Sequence, residues 1–251
     1  MYRSTCLLAA VVMLAAVVVV FAPSAVGATR TVCPDGGISD TTIEGGLLVT
    51  GGNYCVLAND TISGGITILA GGDIELDNST VYGGINVTPG GEIEVNPGSV
   101  FGRNPTTSTI YGGITLNNAV DWDIETANIL GVVYFNGLSA GGFPTFCGNT
   151  VTGAVRMRNV SADITWLGDP VDEDFECGGN TINGILSISN SSFLEVEGNT
   201  VNGSVFLDSS ALELNGNTIS GSLVCSSGTA IVPGQPGDPS GNTVAGTNTC
   251  F

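Results

Sequence analysis

The sequence predicts an all-β chain wound as a right-handed, single-stranded parallel β-helix, a solenoid of about nine to ten coils with about 19 residues per coil. Three observations carry that expectation: glycine-led segments at near-constant spacing, an apolar alternation behind each of them, and two further alternating runs that follow in fixed order. The markers are Gly45, Gly64, Gly83, Gly112, Gly131, Gly153, Gly184, Gly203, Gly221 and Gly246, and four of the nine intervals are nineteen residues while one is eighteen.

The first strand follows its marker as in Gly64-Gly65-Ile66-Thr67-Ile68. Its fifth position reads Val49, Ile68, Val87, Leu116, Phe135, Met157, Ile188, Leu207, Cys225 and Cys250. All are apolar, so this position points inward. The second strand lies about nine residues on, as Asp73-Ile74-Glu75-Leu76, Glu92-Ile93-Glu94-Val95, Asp123-Ile124-Glu125 and Leu194-Glu195-Val196. The third is a short Thr-Val or Thr-Ile step, from Thr61-Ile62 to Asn242-Thr243-Val244.

A single coil has too little apolar surface to fold alone, so the coils must stack and bond their backbones at about 4.8 Å, giving a rod roughly 45 Å long. Asn repeated at one bend predicts a ladder of side-chain amide hydrogen bonds along the stack. A left-handed hexapeptide helix would demand an inward aliphatic every six residues, and Val201, Leu207, Glu213 breaks that register.

Ahead of the repeats, Arg3, an apolar stretch from Leu7 to Ala22 and the small residues Val26-Gly27-Ala28 have the layout of a secretory signal. The expected organisation is a signal peptide over residues 1–28 and one β-helix domain over 29–251, secreted or held at the cell surface, with no membrane span after cleavage. Of the seven cysteines, Cys6 leaves with the signal and six remain. An oxidising compartment makes disulfides the expected state. Cysteines at equal phase on successive coils fall within disulfide reach, which pairs Cys225 with Cys250 and Cys147 with Cys177, and leaves Cys33 with Cys55. Two of these bridges staple the ends.

The mature chain sets 23 acidic residues against four arginines, with no lysine and no histidine, a net charge of about −19. Such a surface repels nucleic acid and anionic membranes and favours cations or basic partners. The missing histidine removes the usual general base of several reaction classes.

Three surfaces are candidates for contact. On the second strand, Asp73, Glu75, Glu92, Glu94, Asp123 and Glu125 alternate with inward aliphatics and form an acidic stripe, with Glu195 and Glu197 further along. Carboxylates stacked at that spacing repel by roughly 1 kcal/mol per pair in water-like dielectric. A divalent cation relieves the strain, and calcium, which takes several carboxylate oxygens, is the favoured ion. Insertions near residues 96–108, 167–178 and 226–240 share one phase and so emerge along one edge. The middle one carries Asp172 and Asp174, with Trp166 at its entrance, an aromatic beside carboxylates that suits a sugar ring or a cation. Arg156 and Arg158 form the only basic pair, outward on a first strand beside Tyr134. With Asp163 they are placed to grip an acidic sugar.

The Gly-Asn-Thr-Val/Ile-x-Gly units resemble those of secreted right-handed parallel β-helix proteins of the broad pectin-lyase-like class, over most of residues 36–246. The resemblance implies the architecture and leaves activity open, because the class holds polysaccharide lyases, hydrolases and adhesins. The Gly-His-Gly segment of its hydrolases is missing here, and no catalytic residue is assigned. The expected function is a non-catalytic extracellular structural or adhesive solenoid that binds cations, glycans or a cell-surface component and is capable of self-association. A polysaccharide lyase or hydrolase is the alternative. Ice or surface binding ranks third, since the outward first-strand residues Thr67 and Thr115 are interrupted by Asn86, Tyr134, Arg156 and Phe206.

Overall fold

A computed structural model describes residues 29–96, 107–138, 144–168, 178–232 and 241–250, with the side chains of 162–164 left undescribed. The expected signal segment, residues 1–28, lies outside these residues. The chain forms a parallel β-solenoid of about nine turns, about 19 residues per turn, with three parallel sheets. Each sheet holds ten strands, and each strand pairs with the strand one turn before it and the strand one turn after it.

The first sheet carries the strands behind the marker glycines, such as Ile66–Ile68, Ile85–Val87 and Ile114–Ala119. The second carries Asp73–Asp77, Glu92–Val95 and Asp121–Glu125, and the third the short steps Thr61–Ile62, Thr80–Tyr82 and Thr109–Tyr111. The inward column predicted for the first strand is buried from Val49 through Leu207. At the C-terminal end Cys225 and Cys250 are only partly buried, and they are joined to each other. Midway along, Trp122, Phe135 and Phe146 fill the core as one aromatic cluster, with ring centroids 4.9 and 5.4 Å apart.

The marker glycines are required by crowding. A Cβ on Gly184 would lie 2.4 Å from the Gly153 carbonyl oxygen one turn below, and one on Gly203 would lie 2.3 Å from that of Gly184. No side chain fits a bend stacked this closely.

The bend between the second and third sheets holds the predicted ladder, and it is longer than the asparagines alone. Its successive positions are Thr41, Asp60, Ser79, Ser108, Ala127, Asn149, Asn180, Asn199, Asn217 and Asn242. The backbone N–H of Asn149 donates to Asn180 Oδ1, that of Asn180 to Asn199 Oδ1 and that of Asn199 to Asn217 Oδ1, each at 3.0 Å. Each Nδ2 also donates to a second-sheet carbonyl of the preceding coil, as Asn199 does to Leu167 at 2.7 Å. These amides are buried, so the ladder satisfies backbone groups that water does not reach.

The end staples form as expected, Cys33–Cys55 and Cys225–Cys250, with Cα separations of 6.0 and 5.0 Å. Cys147 is also disulfide-bonded. Its expected partner, Cys177, lies outside the described residues.

Asn199→Ala strands the Asn180 N–H and the Leu167 carbonyl, and is expected to cost about 2 to 5 kcal/mol in urea unfolding. Asn183→Ala, at an exposed amide, is expected to cost less than about 0.5 kcal/mol. Equal effects at the two sites would show that the buried ladder contributes nothing special.

Candidate functional site

The second sheet turns its alternate residues outward, and over three successive coils all of them are acids. Asp73, Glu92 and Asp121 stand in one register column, and Glu75, Glu94 and Asp123 in the next. The result is a grid two columns wide and three coils deep. Inward, Ile74, Ile93 and Trp122 form the matching core column.

This register corrects the expected one. Asp123 and Glu125 were expected to follow Glu92 and Glu94, but the strand is displaced by two residues, so Asp121 lies beside Glu92 and Asp123 beside Glu94. A shift of two keeps every side chain on its face, and Trp122 takes the core place that Ile124 was expected to fill. Glu125 is buried, pairs in register with Cys147 and lies beside Asp123, one position beyond the two columns of the grid. Asp121 belongs to the grid and was missed because the repeat was aligned on the Asp-Ile-Glu triplet rather than on Asp-Trp-Asp.

The acids are held in conditions that disfavour charge. Burial pushes the Glu94 carboxyl up to about 7, with Asp73, Glu75, Glu92 and Asp121 adding repulsion. Asp123 is pushed up to about 8 by burial first and by its neighbour Glu125 next. Asp73, Glu92 and Asp121 are raised as well, in each case mainly by burial. Asp73 Oδ1 and Asp123 Oδ1 are shielded from solvent and have no hydrogen-bond partner among the described residues. Tyr54, at the N-terminal side of the grid, donates its hydroxyl to Glu75, and that bond raises its own ionisation point. Among the described residues no three His, Cys, Asp or Glu side chains come close enough together to enclose a metal ion. The grid spreads its charge evenly over a flat face.

Of the other expected contact residues, Arg156, Arg158 and Trp166 have described side chains, the two arginines on the first sheet and the tryptophan on the second. Arg156 is flanked in register by Tyr134 and Ser187, and Arg158 by Asn136 and Ser189, so neither has an acid beside it in the first sheet. Trp166 lies on the second sheet, nearly buried, between Thr145 and Glu195. Asp172, Asp174 and the side chain of Asp163 lie outside what is described, as do most of the insertions.

Two further features escaped the sequence reading. Phe193 is an extra residue in its strand, at a left-handed φ of 59°, where pairing slips between Ser192 and Leu194. Its ring is 65% exposed and borders a shallow hollow of about 330 Å³ with Glu195 and Glu213, which are paired in register. A bulge that re-aims one side chain is a local backbone event with no periodic signal. The regular threonine array lies on the third sheet, whereas the first sheet was expected to show any such array. Thr42, Thr61, Thr80 and Thr109 form one outward column, Asn128 interrupts it, and Thr150, Thr181, Thr200, Thr218 and Thr243 continue it.

The raised carboxyls set the direction of pH dependence. The folded chain holds protons that the unfolded chain releases near pH ~4, so their contribution is complete below that value and is lost as pH rises through about 7 to 8 at Glu94 and Asp123. At low salt the melting temperature is expected to fall by several degrees between pH 5 and pH 8.5. Glu94→Gln with Asp123→Asn is expected to flatten that fall, and an unchanged slope in the double variant would refute the assignment.

No family model, curated protein or solved structure matches this chain, and the kinship that can be stated for it is architectural: a three-sheet parallel β-solenoid.

Proposed function

We propose that the chain is an exported, non-catalytic extracellular or cell-surface solenoid, a structural or adhesive rod that makes contact through the acid grid of its second sheet. One observation carries the reading: six carboxylates fill two adjacent outward columns over three coils, in register. Uncharged polar residues fill outward strand positions at no such cost, so a sequence that keeps acids at all six retains repulsion and burial that the fold does not need. Divalent cations, with calcium favoured, relieve that cost by sharing oxygens between neighbouring carboxylates. Solvent or the acidic groups of a glycan complete the coordination, because the described side chains do not enclose an ion by themselves. The export signal and the pectin-lyase-like resemblance support an extracellular setting, and the end staples suit one.

The test is the melting temperature of the mature, disulfide-intact chain in calcium, magnesium and chelator at matched ionic strength. A calcium-specific rise of several degrees is expected, because a ligand bound only by the folded state stabilises it. Glu94→Gln with Asp123→Asn should abolish the rise. Identical melting in all three buffers would leave the grid as a solubility feature and remove the reading.

The threonine column favours a second reading, attachment to an ordered surface such as ice. Nine of its ten rungs are threonine, each presenting a hydroxyl and a methyl at the coil spacing of about 4.8 Å. Threonine also suits a two-residue strand through its β-branch, so the array needs its own measurement. Surface attachment predicts freezing-point hysteresis that Thr200→Tyr, in the middle of the unbroken run, eliminates. A chain without hysteresis would rule out ice as that surface.

A further inference from the structure

The ladder between the second and third sheets follows one rule at its asparagines and at Ser79. Ser108 gives its proton to Asn96 Oδ1 instead, Ala127 has no polar side chain, and Asp60 keeps the acceptor but leaves a buried oxygen over. At the asparagine rungs the side chain accepts a backbone N–H from the preceding coil and donates to a carbonyl of that coil. The acceptors are Ile124, Phe146, Leu167, Val196 and Leu214. Ser79 does the same with one hydroxyl, accepting from the Asp60 N–H at 3.0 Å and sharing its single proton between the Leu57 carbonyl at 3.3 Å and the Asp77 carbonyl at 2.9 Å. Where the register can be followed, the cross-coil acceptor is the residue paired with the position three before the rung, as Leu57 is paired with Leu76 for Ser79.

Asp60 occupies the same place and is 1% exposed. Its Oδ1 accepts the Thr41 N–H at 2.8 Å, as the rule requires. Its Oδ2 is buried and has no partner among the described residues. By register the carbonyl in the acceptor place is that of Ile38, which is paired with Leu57. An ionised carboxylate has no hydrogen to give it, whereas a protonated one has a single O–H donor and keeps an acceptor. We propose that Asp60 is carried as a neutral carboxylic acid whose Oδ2 proton is donated to the Ile38 carbonyl, which makes the junction between the first two coils an acid-held latch.

The surroundings favour the proton. Burial pushes the carboxyl up, against the nearby amides of Thr41 and Ala58 and together with repulsion from Asp40. The charged side chains of the flanking bends are Asp40 below and Asp77 above, both acidic, and the neighbouring Asn59 and Asn78 are neutral. The latch is separate from the acid grid, whose carboxylates lie on the outer face of the second sheet. Loss of the proton leaves two oxygens facing each other, and a solenoid can open at one junction while the other turns stay intact.

The experiment uses the whole mature chain with its disulfides formed. Carbon-detected NMR follows Asp60 Cγ against pH, and hydrogen exchange, corrected for intrinsic rates, follows the Thr41 amide against the Asn180 amide. Asp60 Cγ is expected to titrate well above the ordinary aspartate value of about 3.9. Thr41 protection is expected to fall about tenfold relative to Asn180 across the same midpoint, as a buried hydrogen bond lost at that junction requires. Asp60→Asn, which supplies the missing donor permanently, should hold Thr41 protection constant over the range. Asp60→Ser, which copies the neighbouring rung, should do so in part and serves if the asparagine variant does not fold. A Cγ midpoint near the ordinary value, or Thr41 protection in the wild type that does not vary with pH, would overturn the proposal.

Discussion

The structure depends on one constraint: every coil must satisfy its backbone with the coil above and the coil below. The strands are two to eight residues long, too short to persist as isolated hairpins. Their stability is therefore shared along the stack. At the ladder bend side chains extend this rule, since Asn149, Asn180, Asn199 and Asn217 bond the coils together where the backbone turns and its strand pairing stops. At the marker bend the backbone of the adjacent coil takes the space that a Cβ would need, which is the origin of the glycine stack.

That constraint gives the rod two chemically different halves. From Asn149 onward the ladder is built of amides, which are uncharged at any physiological pH. Before it the rungs are Thr41, Asp60, Ser79, Ser108 and Ala127, and coils of the same half carry the grid of buried-edge carboxylates. In the N-terminal half burial raises Asp73, Glu92, Glu94, Asp121 and Asp123 together. Because nearest-neighbour coupling governs a solenoid, the amide half need not respond when the acidic half does.

Most of the architecture was legible in the sequence for a physical reason: period two within strands and a near-constant coil length are imposed at every turn, so each turn repeats the signal. The inward column from Val49 to Leu207 and the end staples could be read in advance. The Asp121 register could not, because a slip of two residues preserves the alternation on which the reading relied, and only the partner strand decides between the two alignments. The Phe193 bulge occurs once and carries no periodicity. The threonines of the third strand were visible, but a two-residue step gives no alternation from which to tell that they form an exposed column. Of the candidate site, the acid columns followed from the pattern, while the separation of Arg156 from Trp166 on different sheets follows from the winding of the coil.

The two end disulfides also govern how the molecule bears load. Cys33–Cys55 ties the first coil to the second, and Cys225–Cys250 ties the last two in the same way. Tension applied at residue 29 reaches Cys33 and passes through sulfur to Cys55, bypassing the intervening segment, and tension at Cys250 passes likewise to Cys225. The strand pairs inside the two loops, Ile38–Ser39 with Tyr54–Ala58 at one end and Ala230–Val232 with Ala211–Asn215 at the other, are thus relieved of the force that would peel them away, whereas Thr31–Val32, ahead of Cys33, bears it directly.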